Sequence, residues 1–123
     1  MTKGEKIMKK TVLAGIGLVS LLMLGACGNK DAASDDNVKH VGVLQLVQHA
    51  SLDNAYEGFK EGLAEGGYKE DDNLKIEYQN AQNNQDNLKS MSEKLVKEEP
   101  DLLLGIATPA AQSLLNATTE IPI

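Results

Sequence analysis

HVGVLQLVQHASLDNAYEGFKEGLAEGGY, residues 40–68, decides the fold of this chain. Its opening, residues 40–46, is short, rich in β-branched and large apolar side chains, and bounded by polar residues on both sides. That pattern predicts a central strand buried on both faces. The period then changes: Leu52, Ala55, Tyr56, Phe59 and Leu63 recur at helical spacing and form one stripe. Ser51 or Asp53 is the predicted cap of this helix, and Gly66-Gly67 its end. A buried strand running straight into an amphipathic helix is the start of a β-α-β unit.

The rest of the chain repeats the theme. LKIEY, residues 74–78, alternates apolar with charged, so this second strand is expected to keep one face wet. A second helix is predicted over residues 86–98, with Leu88, Met91, Leu95 and Val96 on one side and Pro100 as its stop. LLLGIA, residues 102–107, is again continuously apolar. Thr108-Pro109 then opens a third helix, with threonine as cap and proline at the first position, and Ala111, Leu114 and Leu115 facing inward. The order β-α-β-α-β-α predicts an α/β fold with a parallel sheet and right-handed crossovers. Two buried strands and one half-exposed strand give the spatial order 2-1-3, the second strand at the edge. Ile121-Pro122-Ile123 looks like the opening of a fourth strand. Without one, the apolar third strand would present a bare edge, so residues 40–123 are expected to be part of a larger lobe; a short protein with a frayed end is the alternative.

Upstream, Lys3, Lys6, Lys9 and Lys10 precede an uncharged run of about 16 residues, 11–26, shorter than the roughly 20 of a spanning helix. A cationic start, a short apolar core and small residues before a break describe a secretory signal peptide. Its ending, Leu24-Gly25-Ala26-Cys27, resembles the bacterial lipobox. That resemblance implies removal of residues 1–26 and diacylation of Cys27, and two acyl chains anchor a protein durably to a membrane. A plain signal peptide or an uncleaved anchor is the alternative. Residues 27–39, a cysteine followed by GNKDAASDDNVK, read as the lipidated residue and a flexible tether. Gly28 stands after the cysteine in place of the aspartate associated with inner-membrane retention in Gram-negative cells. The expected location is therefore the outer face of a Gram-positive cell membrane.

Composition narrows the function. The chain has 123 residues, a net charge of −6, no arginine and few aromatics, a poor basis for binding nucleic acid. The leader holds most of the early lysines, so the remainder is more acidic still. Cys27 is the only cysteine, and its lipidation would leave no disulfide or thiol chemistry.

In open parallel sheets ligands bind beyond the carboxyl ends of the strands, near the switch point. Here those ends are residues 45–53, 80–85 and 108–110. The first offers Gln45, Gln48, His49 and Ser51; the second is amide-rich, with Asn80, Gln82, Asn83, Asn84 and Gln85. The third is a helix start whose backbone N–H groups around Ala110 and Ala111 are expected to be free for a carboxylate, with the Thr108 hydroxyl beside them. Such groups orient a neutral or zwitterionic small molecule and do little acid–base work. His49 alone could titrate usefully, and it has no partner at a recognisable spacing. It is open to three readings: a base, a ligand contact, or a loop residue bonding its own backbone. No Gly-rich phosphate loop follows the first strand, and Glu70-Asp71-Asp72 lacks the rest of a calcium-loop pattern. No cofactor, metal or catalytic residue is expected.

Taken together, the lipobox leader, residues 41–68, the strand ending at NAQNN (80–84) and DLLLGIATPAAQSLLNATTEIPI (101–123) resemble the solute-binding lipoproteins of ABC importers. The nearest group is the tryptophan/tyrosine-type, or uncharacterised, ABC substrate-binding proteins. The likeness is strongest at His49 with Leu52-Asp53, at Gly58-Phe59 with Gly62-Leu63, and over residues 107–112. The chain departs from the family at Ala50-Ser51, where proline-alanine is usual. The resemblance implies a type I periplasmic-binding fold, two α/β lobes closing on a ligand, of which this chain holds only part of the first. It implies that Gln45, His49 and Leu52, then Asn80, Ala81 and Gln82, then Thr108, Pro109 and Ala110, line the cleft. It also implies a small solute, an amino acid in particular, an ABC permease as partner, and attachment to the membrane through the lipid. The rivals are a ligand-sensing lipoprotein domain serving a membrane regulator, an exported enzyme, and a structural surface lipoprotein.

Overall fold

The computed structural model describes residues 37–123; the expected signal peptide, Cys27 and most of the tether lie outside the described residues. Six elements alternate: β1 (Lys39–Gln45), α1 (Ala50–Glu65), β2 (Leu74–Asn80), α2 (Gln85–Lys97), β3 (Leu102–Ile106) and α3 (Thr108–Ala117). The strands form one parallel sheet in the order β2-β1-β3, as the hydrophobic patterns predict. β1 is central because its side chains find apolar partners on both faces. Val41 and Val43 join Leu74 and Ile106 beneath the Leu52, Tyr56, Phe59 and Leu63 stripe of α1. Leu44 points the other way, into a second cluster with Leu88 and Leu95 of α2, Leu103, and Ala110 and Leu114 of α3. The alternation of a strand thus feeds two cores from one segment, and each buried leucine stabilises the fold by about 1.5–3 kcal/mol.

β2 is the wet edge. Leu74 is buried beneath α1, while Lys75 is exposed and Glu77 pairs with Lys94 of α2. Tyr78 reaches the α1 face and stacks on Tyr56, ring centres 4.7 Å apart. The other edge, β3, is partly covered: the Leu103 N–H donates to the Pro122 carbonyl at 2.8 Å. Residues 121–123 therefore begin to pair with β3 where the sequence pattern places the start of a further strand.

Several local expectations need correction. The cap of α1 is His49, whose ring accepts from the Ser51 N–H; neither Ser51 nor Asp53 fills that position. Ala55 is exposed and does not belong to the buried stripe. α3 is capped by Ala107, with no side-chain bond, and Thr108 is already helical. Leu115 points outward and is 59% exposed, because it is Ala110 and Leu114 that enter the cluster between α2 and the sheet. α2 begins under an amide cap that the sequence reading did not name: Asn84 Oδ1 accepts from the N–H groups of Asp86 and Asn87. It ends where Glu99 turns left-handed, at φ 48°, just before Pro100.

Candidate functional site

All three strands are parallel, so their carboxyl ends share one edge of the sheet. Gln45 is in register with Asn80 on one side and Ile106 on the other. Beyond that line the first two loops are sewn together. The Ala81 N–H donates to the Gln45 carbonyl at 2.9 Å and the Asn83 N–H to the Leu46 carbonyl at 2.8 Å. On the other flank the Leu46 N–H donates to the Ile106 carbonyl at 3.2 Å. The polar edge is thus built on a backbone frame that extends the sheet.

The amides of the second loop divide by task. Asn80 Oδ1 accepts from the Gln82 N–H at 2.9 Å, closing a side-chain turn. Asn84 caps α2, and Asn87 Nδ2 donates to the Ala81 carbonyl at 3.2 Å. Gln82 and Asn83 both adopt left-handed backbone, φ 54° and 56°, and their side chains are exposed. Ala81 itself is fully buried in the core beneath α2, so only its backbone belongs to the edge.

His49 stands at the exit of the first loop. Its carbonyl accepts from the N–H groups of Leu52 and Asp53, both at 2.9 Å. Its Nδ1 accepts from the Ser51 N–H at 3.3 Å and lies 2.8 Å from Ser51 Oγ. Nδ1 is therefore the acceptor, and the neutral ring carries its proton on Nε2. The serine–imidazole contact is a cap. No carboxylate among the described residues orients the ring from its other side, as an activated hydroxyl nucleophile would need. Leu52, by contrast, packs its side chain into the apolar cluster under α1.

In the third loop the structure corrects an expectation. The N–H groups of Ala110 and Ala111 are not free: both donate to the Ala107 carbonyl, at 3.1 and 3.2 Å. Ala107 has φ 80° and ψ 150°, a conformation that costs a residue with a β-carbon about 1–3 kcal/mol. Thr108 is exposed and Pro109 half-buried at the edge, while Ala110 is buried against α2.

Gln45, at the end of β1, is fully buried. Its Nε2 donates to the Val47 carbonyl at 2.9 Å and to Asp53 Oδ1 at 2.7 Å, while its Oε1 has no hydrogen-bond partner. The pairing of Gln45 with Asp53 is the feature that sequence reasoning missed. Asp53 reads there as a possible cap and as part of the likeness around His49 and Leu52, and nothing in a linear pattern ties it to the strand before it.

The three loops therefore present exposed amides, a hydroxyl, an imidazole and one pinned carboxylate. Gln45, His49, Asn80, Gln82, Thr108 and Pro109 gather at the common edge, whereas the side chains of Leu52, Ala81 and Ala110 go to the core. A separate groove of about 490 Å³ runs along the outer flank of α2 and α3, between Lys89 and Glu93 on one side and Gln112 and Asn116 on the other. Among the described residues no helix is long and apolar enough to cross a membrane, and no group of three metal-ligating side chains is poised to hold an ion.

Comparison with known proteins agrees with this architecture. The chain is 42% identical to a tyrosine-binding protein of Clostridioides difficile, over its whole length and 37% of the relative's. Among solved structures, the ligand-free, open form of a substrate-binding protein with adhesive properties from Clostridium difficile superposes with a TM-score of 0.68 at 42% identity, covering 70% of this chain and 29% of that one. The ABC domain from Streptococcus pneumoniae in complex with L-Trp superposes with a TM-score of 0.67 at 49% identity, covering 69% and 28%. The chain thus spans about a third of the length of the relatives it matches. Residues 40–123 match the family model described as ABC transporter substrate binding protein, and the chain belongs to that family.

Proposed function

We propose that this chain forms part of the first lobe of an extracytoplasmic receptor. The receptor captures an aromatic amino acid and delivers it to an ABC permease without covalent chemistry. The observation that carries the reading is the convergence of three polar loops on one edge of the parallel sheet. They are framed by bonds from Ala81 and Asn83 to the exit of β1, where open α/β folds take their ligands. The aromatic class is suggested by two relatives, one a tyrosine-binding protein and one a structure holding L-Trp. The neutral amides and hydroxyl of the edge suit a zwitterion better than a phosphate or a polyanion. Residues 1–26 act in this reading as a signal peptide, Cys27 as the lipidated anchor, and residues 28–39 as the tether that holds the receptor at the outer face of the membrane.

The test is calorimetry on the complete protein lacking residues 1–26, titrated with L-tryptophan, L-tyrosine, L-leucine and L-glutamate. Selective binding of the aromatic pair is the expected result, with a thermal stabilisation of about 2.7 kcal/mol at a hundredfold excess over the dissociation constant. Cooperative unfolding with no response to any amino acid would overturn the reading.

A further inference from the structure

We infer that the Asp53 carboxylate, fixed by the buried amide of Gln45, receives the ammonium group of the ligand; this rests on the amino-acid reading above. A fully buried amide with an orphan carbonyl oxygen carries the desolvation penalty of that oxygen uncompensated, and an apolar residue of the same size would avoid it. What the glutamine does in return is specific. Its Nε2 bridges the Val47 carbonyl and Asp53 Oδ1, at 2.9 and 2.7 Å. Both partners are acceptors, so the amide has one orientation: turned over, it would set oxygen against oxygen.

Asp53 is thereby held at the end of β1 with one carboxylate oxygen engaged. Its side chain makes no bond to the N–H groups of α1, which His49 caps instead. No lysine or histidine among the described residues forms an ion pair with it. The residue is half-buried, in the first turn of α1, where the positive end of the helix favours a negative charge. What remains is a half-buried carboxylate whose second oxygen has no donor among the described residues. A group that complements it must bring donors and positive charge, and an ammonium brings three N–H donors and no acceptor. A ligand carboxylate would meet like charge here. Asp53 is the contact and Gln45 is a positioning residue, since its amide acts only through the carboxylate.

The complete protein decides the point by calorimetry with two matched probes, L-tryptophan and indole-3-propionate, which has the same skeleton without the ammonium. Asp53→Asn keeps an acceptor for the Gln45 amide and removes the charge. It is expected to weaken L-tryptophan about 30- to 300-fold, the effect of removing one partner of a desolvated charge pair, and to leave indole-3-propionate unchanged or tighter. Gln45→Met, similar in volume and without an amide, is expected to weaken L-tryptophan about tenfold with no loss for indole-3-propionate. If Asp53→Asn does not fold, Asp53→Ser carries the same comparison. A folded Asp53 variant that binds L-tryptophan as wild type does, or that loses both probes equally, would overturn the inference. Wild-type protein that binds no amino acid would instead remove the parent reading, so the two failures are told apart by the wild-type titration alone.

Discussion

A β-carbon on Gly105 would stand 2.5 Å from the Cα of Ala111 and 2.7 Å from its backbone nitrogen. α3 rests directly on β3 at this point, backbone against backbone, with no side chain between them. That contact sets the height of the third loop above the sheet edge. Gly105→Ala is therefore expected to destabilise the complete protein by about 1–3 kcal/mol, the usual range for overpacking, because helix and strand must part to admit one methyl. Gly42 is a control on the same face: its β-carbon would meet the side-chain ends of Leu103 and Leu95, at 2.7 and 3.3 Å, which can turn aside. Urea unfolding of both alanine variants should show the larger loss at Gly105. Equal losses would mean that α3 can shift at little cost.

His49 offers a second test, because its visible task is to start α1. His49→Ala removes the Nδ1 acceptor from the Ser51 N–H and is expected to cost about 0.5–2 kcal/mol of stability, as lost caps do. His49→Asn, a better cap former, should restore that stability. Ligand affinity measured on the asparagine variant then separates the two roles. Affinity retained with stability means that the residue serves as a cap; affinity lost while stability returns means that the imidazole also touches the ligand.

Acid should loosen the β2 edge and the base of β1. Lys94, and less strongly Gln79, hold the Glu77 carboxyl below the usual carboxylate range. The His40 backbone N–H, followed by Lys39, does the same for Asp101. A carboxyl with a depressed folded-state pKa stays ionised when its unfolded counterpart has begun to protonate. Its contribution is fully present above the unfolded pKa and is lost as pH falls through the folded value. The variant Glu77→Gln with Asp101→Asn is expected to be less stable at neutral pH and to show a flatter decline between about pH 5 and about pH 2. Urea midpoints taken at half-unit steps would measure it, and a slope equal to wild type would refute the assignment. High salt should shrink the Glu77 share more than the Asp101 share, since Lys94 is well exposed whereas the bond from the His40 N–H is part of the backbone.

The architecture was legible in the sequence for a physical reason. Burial is periodic, and a strand or a helix writes its period into the residues it hides. Val41, Val43 and Leu44 could only belong to a strand covered twice; Leu74 and Ile76, alternating with Lys75 and Glu77, only to one with a wet face. That difference put β2 at an edge of the sheet, the pattern of flavodoxin-like strand order, and the parallel chain order located the three loops. Caps were less legible. Thr108 looks like a better helix start than Ala107, yet the close seat of α3 on Gly105 puts the turn one residue earlier and leaves Ala107 at positive φ.

The candidate site divides along the same line. Sequence by itself determined which segments meet at the polar edge, because chain order and hydrophobic period suffice to place the ends of parallel strands. Which side chains reach that edge was decided only in three dimensions. Ala81, Ala110 and Leu52 turn into the core, and the N–H groups of Ala110 and Ala111 bond to Ala107. Gln45 reaches across the exit of β1 to Asp53, eight residues on. A hydrogen bond between a strand's last residue and the helix after it leaves no period and no motif, since it depends on how far the loop between them folds back. That distance is set by packing, and packing belongs to the whole fold.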